Sequence, residues 1–415
     1  MDHDEHGAAP GGEPAHRARP FGRFALDTPY PNHLSLLRGS PAAGSTSRAP
    51  AGPDAIIVPA HRSPVGLAWV FGFAAELGCP LVVLWTDRGH ASPTGPDRPA
   101  PTGPDRGPTW PDSGARSTVV VRWPAVPDLA WQPTESLQVA AAARSRNLEA
   151  SEKRTFGLQL ARLMGWRTVL FVDDDVTDLL AADVRQAVGA LGALPASTFR
   201  VTQFPDHSVV CHAAGAVGAN LDVLLGGALV VRVDQGVPFF PPVYNEDWLF
   251  CHDWLARRQV RYAGNLTQAE FDPFADPERA RQEEFGDLLG EGLLARLHRG
   301  QRLLDVDLPF WRGVLRHRAW LLDAIEQALP VARTDPTGRL AMAACLAAAR
   351  AELGRIDAGM LHEFVRAWRH DLLDWRRHLA TLTPQLSTEP EARRLQTALT
   401  TLGLGQHHLP RDSGF

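Results

Sequence analysis

Short apolar segments alternate with longer amphipathic ones over the first half of the chain. Residues 55–60 (AIIVPA), 80–86 (PLVVLWT) and 117–123 (STVVVRW) are apolar over most of their length. A helical segment between the first two ends at Gly78, and a second helix over about residues 150–164 precedes a fourth strand-like segment, TVLFV at 168–172. Strands that are apolar on both faces and separated by helices predict an α/β fold, with a mostly parallel sheet and helices on both faces.

Three other regions set the predicted domain organisation. Residues 1–53 are rich in Pro, Gly, Ala, Ser and Arg without a periodic apolar face, which predicts a disordered N-terminal tail. Residues 88–116 contain PTGPDR twice and are interpreted as a disordered insertion in a surface loop of the α/β domain, residues 54–311. From residue 312 to 415 the pattern is helical, with an apolar stripe over 361–379, and predicts an all-helical C-terminal subdomain.

Composition limits the partners. The net charge of -5 gives no general basic field for a nucleic acid, so none is expected as a partner. The four cysteines are far apart in sequence and have no metal-binding spacing, which favours a reduced, cytoplasmic location. No apolar run approaches the roughly 20 residues of a transmembrane helix, although contact with a membrane surface is left open.

Three consecutive aspartates follow the fourth predicted strand. Asp173, Asp174 and Asp175 stand at the carboxyl end of a buried segment, the edge where parallel sheets bind their ligands. Three adjacent carboxylates repel each other, so a solvated turn is the less favoured interpretation. Carboxylates are hard ligands for Mg²⁺ or Mn²⁺, and the alternating pair Asp173 and Asp175 can be directed toward one ion.

The aspartate motif is compatible with two hypotheses that do not need the rest of the chain. The segment DDDVT satisfies the DxDx[TV] signature of haloacid-dehalogenase-like phosphatases, with Asp173 as nucleophile and Asp175 as acid/base. Such enzymes need a cation, generally a lysine, downstream of the motif, whereas Lys153 is the only lysine in the sequence and lies upstream. The second hypothesis is a non-catalytic nucleotide- or metal-binding module.

Several segments, in order, resemble the nucleotide-sugar glycosyltransferases of the GT-A fold, and family 2 in particular. IIVPAHR at 56–62 looks like the first strand and base-binding loop, and residues 145–176 look like the segment that ends in the DxD motif. Further on, GGALVVRVD and FFPPVYNEDWLF are similar to the acceptor-side strand and the acidic ED loop. The resemblance covers about residues 54–311.

The resemblance implies a metal-dependent transfer of a sugar from a UDP- or GDP-sugar to an unidentified acceptor hydroxyl, with Mg²⁺ or Mn²⁺ as cofactor. It also implies a set of site residues. Asp247 and Glu246 would be catalytic, Asp175 would be the principal metal ligand with Asp173 beside it, and the donor would contact Pro59, His61, Arg62, Asn147, Lys153, Arg154, Asp173, Asp174 and Gly227.

The residues of the NEDW segment support a catalytic role by themselves. Glu246 and Asp247 lie between aromatic residues, where desolvation is expected to raise the pKa of a carboxyl toward values useful for a general base. In the competing interpretation, Asn245 or Asp247 caps the helix that follows. For Lys153 and Arg154 the competing interpretation is a solvated helix face.

Overall fold

The computed structural model describes residues 33–39, 51–62, 64–86, 110–111, 114, 117–146, 148–204, 207–219, 226–233, 236–301, 306–384 and 388–409. Strands and helices alternate through the first part of these ranges, and helices predominate in the last. The strands are β1 Ala55–Ala60, β2 Leu81–Trp85, β3 Thr118–Arg122, β4 Thr168–Val172, β5 Val176–Asp178, β6 Ala196–Val201, β7 Ala228–Arg232, β8 Val260–Gln268 and β9 His408–Leu409. The helices are α1 Ala68–Leu77, α2 Glu135–Ala142, α3 Leu148–Met164, α4 Ala181–Leu191, α5 Val209–Ala216, α6 Glu246–Ala256, α7 Pro277–His298, α8 Leu308–Ala328, α9 Pro336–Leu353, α10 Ala358–Thr381 and α11 Glu391–Thr401.

The strands form one sheet in the order β5-β8-β6-β7-β4-β1-β2-β3-β9. Strands β1 to β4 pair in parallel, and β6 pairs in parallel with β8. Strand β7 lies antiparallel between β4 and β6, so those two strands point the same way. The predicted α/β fold with a mostly parallel, Rossmann-like sheet is therefore confirmed.

Helices cover both faces of the sheet because alternate strand residues face opposite sides. Ile56 and Val58 belong to the apolar cluster that includes α1 and α4, whereas Ile57 belongs to the cluster that includes α3, α6 and α7. Helix α3 lies especially close to the sheet. A Cβ atom on Gly157 would come within 3.0 Å of side chains of Ile57 and Phe171, so only glycine fits there without a local shift.

The C-terminal helices pack into the same apolar cluster as α3, α6 and α7. The predicted stripe on α10 does face a core, since Phe364, Trp368 and Trp375 are all buried. The described end of the chain, however, is not helical. His408–Leu409 forms β9 and pairs antiparallel with β3, so the all-helical prediction for residues 312–415 is wrong at that point.

Part of the segment predicted to be a disordered tail is packed against the domain. His33 lies in a short 3-10 turn, is 3% exposed and places its Nε2 3.2 Å from a carboxylate oxygen of Glu291. The prediction is wrong for residues 33–39, because Leu36 and Leu37 are buried in the apolar core and the Arg38 backbone bonds to Val260 and Tyr262 of β8. Residues 1–32 lie outside the described residues.

Little of the predicted insertion at 88–116 can be compared with the structure, since only residues 110, 111 and 114 are among those described. Trp110 packs its ring edge-on to Trp85 with 5.3 Å between ring centroids. None of the described helices has the length and hydropathy needed to cross a membrane.

Candidate active site at the carboxyl end of strand β4

Strand β4 places Asp173 at the edge of the sheet beside the start of β7. The backbone N–H of Asp173 donates to the carbonyl of Gly227 at 2.8 Å. Gly227 has φ of +68°, and a Cβ there would lie 3.1 Å from side chains of Leu266 and Val176. A left-handed backbone and a close approach therefore both require glycine at this position.

Arg154 joins the two acidic segments of the sequence. From α3, its guanidinium pairs with Asp173 and with Glu246, and it also lies over the Phe240 ring at 5.7 Å. Burial opposes the charge of Arg154, but the coulombic field of Asp173, Glu246 and Asp247 outweighs it and raises the pKa of Arg154. Arg154 is thus a permanent cation among three carboxylates, and its interpretation as a solvated helix face is wrong.

The NED segment begins α6 in an uncommon backbone conformation. Asn245 has φ of +64°, in the left-handed region that asparagine tolerates better than most residues. It occupies the N-cap position, but its side chain makes no capping bond and instead places its amide 3.4 Å from Asp287. Asp247 accepts from the backbone N–H of Trp248 at 2.9 Å. Capping of the helix by the Asn245 side chain is therefore not observed.

Burial raises the pKa of Glu246 to about 7, against the lowering effect of Arg154. Burial likewise raises the pKa of Asp247 to about 6, with Arg154 again opposing and Asp173 adding to the rise. The rise in the pKa of both carboxyls agrees with the prediction from the sequence. The two carboxyls differ in access, since Glu246 is 2% exposed whereas Asp247 keeps partial exposure.

The cleft continues from these carboxylates toward α5 and α7. Its cavity volume is about 60 Å³, and its far wall includes Ser208, Asn245, Trp248 and Asp287. Ser208 donates to Asp287 at 2.7 Å, and Arg318 donates to the same carboxylate oxygen at 2.7 Å. These residues form a fixed polar wall beside Asp247, which sequence reasoning missed.

The three aspartates point to three different partners. Asp173 faces Arg154 in the cleft, whereas the Asp174 carboxylate accepts from the backbone N–H groups of His61 at 2.6 Å and Arg62 at 2.9 Å. Asp175 accepts from the Gln268 side-chain amide at 3.1 Å. A merely solvated turn is excluded, and Asp174 supports the loop after β1 instead of facing the cleft.

Lys153 does not line the cleft. It is 0% exposed, and its ammonium donates to the carbonyl of Ala60 at 2.9 Å and pairs with Glu149 at 2.6 Å. Neither the predicted contact with a donor nor the solvated helix face describes these contacts. The only lysine instead fixes the end of β1 to α3.

The remaining predicted donor contacts lie in or near the loop after β1. Pro59 is buried within β1, while His61 is partly exposed and Arg62 is exposed where the loop opens to solvent. His61 places its Nδ1 3.6 Å from a carboxylate oxygen of Glu149. Asn147 lies outside the described residues.

The donor set of the cleft fits a divalent cation bound together with a ligand. Asp173, Glu246 and Asp247 line the cleft and supply hard oxygen atoms around Arg154. Asp175 is not in the lining, but its carboxylate accepts from Gln268, which is in the lining. Neither Asp173 nor Asp175 belongs to a group of three described residues that could by itself hold an ion. Two carboxylates completed by phosphate oxygens and water are the arrangement in which Mg²⁺ is usually bound.

A second group of three described side chains, Cys211, Asp287 and Glu291, has ligand atoms within 4.8 Å of one another. Ser208 and Arg318 already bind Asp287, and His33 binds Glu291. Both carboxylates of this group therefore already have partners among the described residues.

No protein-family model matches the sequence, and no curated protein matches it. Among solved structures, one that shows similarity is the crystal structure named "putative nucleotide-diphospho-sugar transferase" from Desulfovibrio desulfuricans G20. The two sequences are 12% identical, the match covers 66% of this chain and 97% of the other, and the TM-score is 0.27. The likeness is distant.

Proposed function

We propose that this chain is a metal-dependent glycosyltransferase of the GT-A type, which moves a sugar from a nucleotide-diphosphate sugar to an acceptor hydroxyl. One observation carries the proposal. Asp173, at the end of β4, and the Glu246-Asp247 pair, at the start of α6, meet around Arg154 in one cleft. Carboxylates suited to a metal thus lie beside carboxylates suited to general-base catalysis.

In this proposal, Asp175 and Asp173 hold Mg²⁺ or Mn²⁺, with the donor diphosphate completing the coordination. The ion would neutralise the negative charge that develops on the departing diphosphate. Arg154 adds a fixed positive charge at the same place, already oriented by its ion pairs with Asp173 and Glu246.

The nucleotide would lie along the open edge of the sheet, outside the cavity. At about 60 Å³ the cavity is far smaller than the roughly 300 Å³ or more of a typical ligand pocket, so only the reacting groups fit inside. The loop after β1, with His61 and Arg62, lies next to β4 at this edge and is held there by Asp174. In α/β sheets, nucleotides commonly bind at the carboxyl edge, in the crevice between two neighbouring strands whose following connections run to opposite faces of the sheet.

Asp247 is better placed than Glu246 to act as the general base. Glu246 is almost fully buried and held by Arg154, which suits a positioning role. Asp247 is more exposed and has a pKa raised to about 6, close enough to neutral pH for effective proton transfer. Ser208 and Asn245 line the adjoining wall and could hydrogen-bond a polyhydroxylated acceptor.

The acceptor oxygen forms a bond to the anomeric carbon while the bond from that carbon to the diphosphate oxygen breaks. The nucleoside diphosphate leaves with the bonding electron pair, and the acceptor proton passes to the Asp247 carboxylate. Cytoplasmic location belongs to the same proposal, and the four cysteines, all buried and without disulfides, are compatible with it.

A binding experiment tests the proposal directly. Isothermal titration of a panel of UDP- and GDP-sugars, with and without Mn²⁺, should find a donor whose binding needs the metal. Asp175→Ala should weaken that binding about 10-fold or more, because a hard ligand is lost. Asp178→Ala is the matched control, since Asp178 is an exposed carboxylate on the neighbouring strand β5 and should leave the affinity unchanged.

Absence of metal-dependent binding across the panel would contradict the proposal. Hydrolysis of simple phosphate esters that is lost in Asp173→Asn would contradict it as well, because Asp173 would then be the nucleophile of a phosphatase.

A further inference from the structure

A basic groove lies between α6, α10 and the end of α7, away from the cleft at β4. It has a cavity volume of about 720 Å³ and shares no lining residue with that cleft. Helix α6 contributes its last turns to the groove, whereas its first turn carries Glu246 and Asp247. The groove is thus a separate feature of the molecule, with room for a ligand larger than a single ion.

Four arginines line this basic groove, and all four side chains are exposed. Arg366, Arg369 and Arg376 lie on α10, with Arg257 opposite at the end of α6. None of the four guanidinium groups has an ion pair or hydrogen bond among the described contacts. Asp253 is the one carboxylate in the lining; its pKa is lowered first by the hydrogen bond with His252 and less by Arg257 and Arg376, and one carboxylate cannot balance four positive charges.

A buried polar atom in the same lining also points to a ligand. His252 is 2% exposed, and its Nε2 has no hydrogen-bond partner among the described residues. Its other ring nitrogen lies 3.4 Å from Asp253. Buried polar atoms in folded proteins usually have a partner, and this residue lies in the lining of a groove wide enough to admit one.

We propose that the basic groove is a second binding site, for a soluble ligand that carries two or more phosphate groups. Guanidinium groups bind phosphate through paired N–H donors, and four of them on two facing helices can contact several phosphates at once. The concave shape suits a discrete molecule better than a flat membrane surface. With Leu372 and Leu373 also in its lining, the groove offers an apolar surface for the carbon part of such a ligand.

Isothermal titration of the full chain with tripolyphosphate in EDTA tests this site. EDTA removes any contribution from a metal at the Asp173 cleft. We expect saturable binding that weakens as the NaCl concentration rises, because the charges are exposed to screening. Arg366→Gln/Arg369→Gln should raise the dissociation constant about 10-fold, the effect of losing charge-assisted contacts. His252→Phe, which keeps a ring in place, should weaken binding by a smaller factor.

Two arginines on α8 provide the matched control. Arg312 and Arg316 are exposed, one helical turn apart and remote from the groove lining, so Arg312→Gln/Arg316→Gln should leave the dissociation constant unchanged. Equal weakening in this control would show a general charge effect and overturn the proposal. So would binding of citrate as tight as that of tripolyphosphate, or binding only to vesicles of anionic phospholipid. None of these outcomes bears on sugar transfer, which donor binding at the Asp173 cleft tests separately.

Discussion

Replacement of Arg154 by methionine should destabilise the protein strongly at alkaline pH and weakly at acid pH. Methionine preserves much of the side-chain volume and its contact with Phe240, but it removes the cation that Asp173 and Glu246 share. Removing one partner of a buried ion pair typically costs about 3–5 kcal/mol. The Glu246 side chain is 3% exposed and that of Asp173 is 27% exposed, so the Glu246 pair should supply most of the loss. We therefore expect the free energy of unfolding to fall by about 3 kcal/mol at pH 8.

The pH dependence follows from the direction of the Glu246 shift. Burial raises its pKa from 4.5 to about 7, so the folded state favours the protonated carboxyl. The resulting stability is fully present below pH 4.5 and is lost as the pH rises through about 7. Without Arg154 the pKa of Glu246 rises further, and the decrease in stability with pH continues to higher pH. At pH 5 Glu246 is mostly protonated, so the arginine has little charge to pair with there.

Urea unfolding at pH 5 and pH 8 measures both effects. Arg162→Met on the same helix is the control, because Arg162 has no ion pair among the described contacts and should change stability by under about 1 kcal/mol. Adding Glu246→Gln to Arg154→Met should restore much of the loss at pH 8. A cost under about 1 kcal/mol at pH 8, or one that is the same at both pH values, would refute the reasoning.

Two further predictions concern the support of the site. Gly286→Ala should be strongly destabilising in thermal unfolding, because the new Cβ would overlap the Tyr244 carbonyl. Gly313→Ala is the control, since its new Cβ has open space and should stabilise α8 by up to about 1 kcal/mol. Equal effects of the two changes would contradict this packing. Burial raises the pKa of Glu149, but the charge of Lys153 outweighs burial and lowers it overall. The stability that this ion pair supplies is therefore present above pH 4.5 and is lost as the pH falls through the lowered pKa. Lys153→Met should therefore lower the free energy of unfolding by about 2 kcal/mol at pH 7, as expected for a hydrogen-bonded buried charge, and by less at pH 3. A decrease that is independent of pH would contradict this role of Lys153.

The four parallel strands β1 to β4, and the edge of the sheet at which they end, were predictable from the sequence. Apolar segments of five to seven residues between helices fix the strand positions, and the carboxyl end of each parallel strand must then face one edge. The position of Asp173 at that edge follows directly. The ion pair of Asp173 with Arg154 was also predictable, because Arg154 lies on the helix that immediately precedes β4.

Other features of the site depend on contacts between distant parts of the chain. The polar wall joins Ser208, just ahead of α5, to Asp287 on α7 and Arg318 on α8. These residues are far apart in sequence and form no short motif. The role of Lys153 depends on its complete burial, which composition does not reveal. The packed turn at His33 was hidden because the surrounding Pro- and Gly-rich sequence dominates the average composition.

The most direct test of sugar transfer is release of nucleoside diphosphate from the donor identified by titration, with water or a screened hydroxyl compound as acceptor. We predict that release requires Mg²⁺ or Mn²⁺ and that Asp247→Asn lowers kcat about 100-fold or more, the usual effect of losing a general base, while donor affinity is retained. Metal-dependent release at an unchanged rate in Asp247→Asn would contradict the role of Asp247, and no release from any donor would contradict sugar transfer itself.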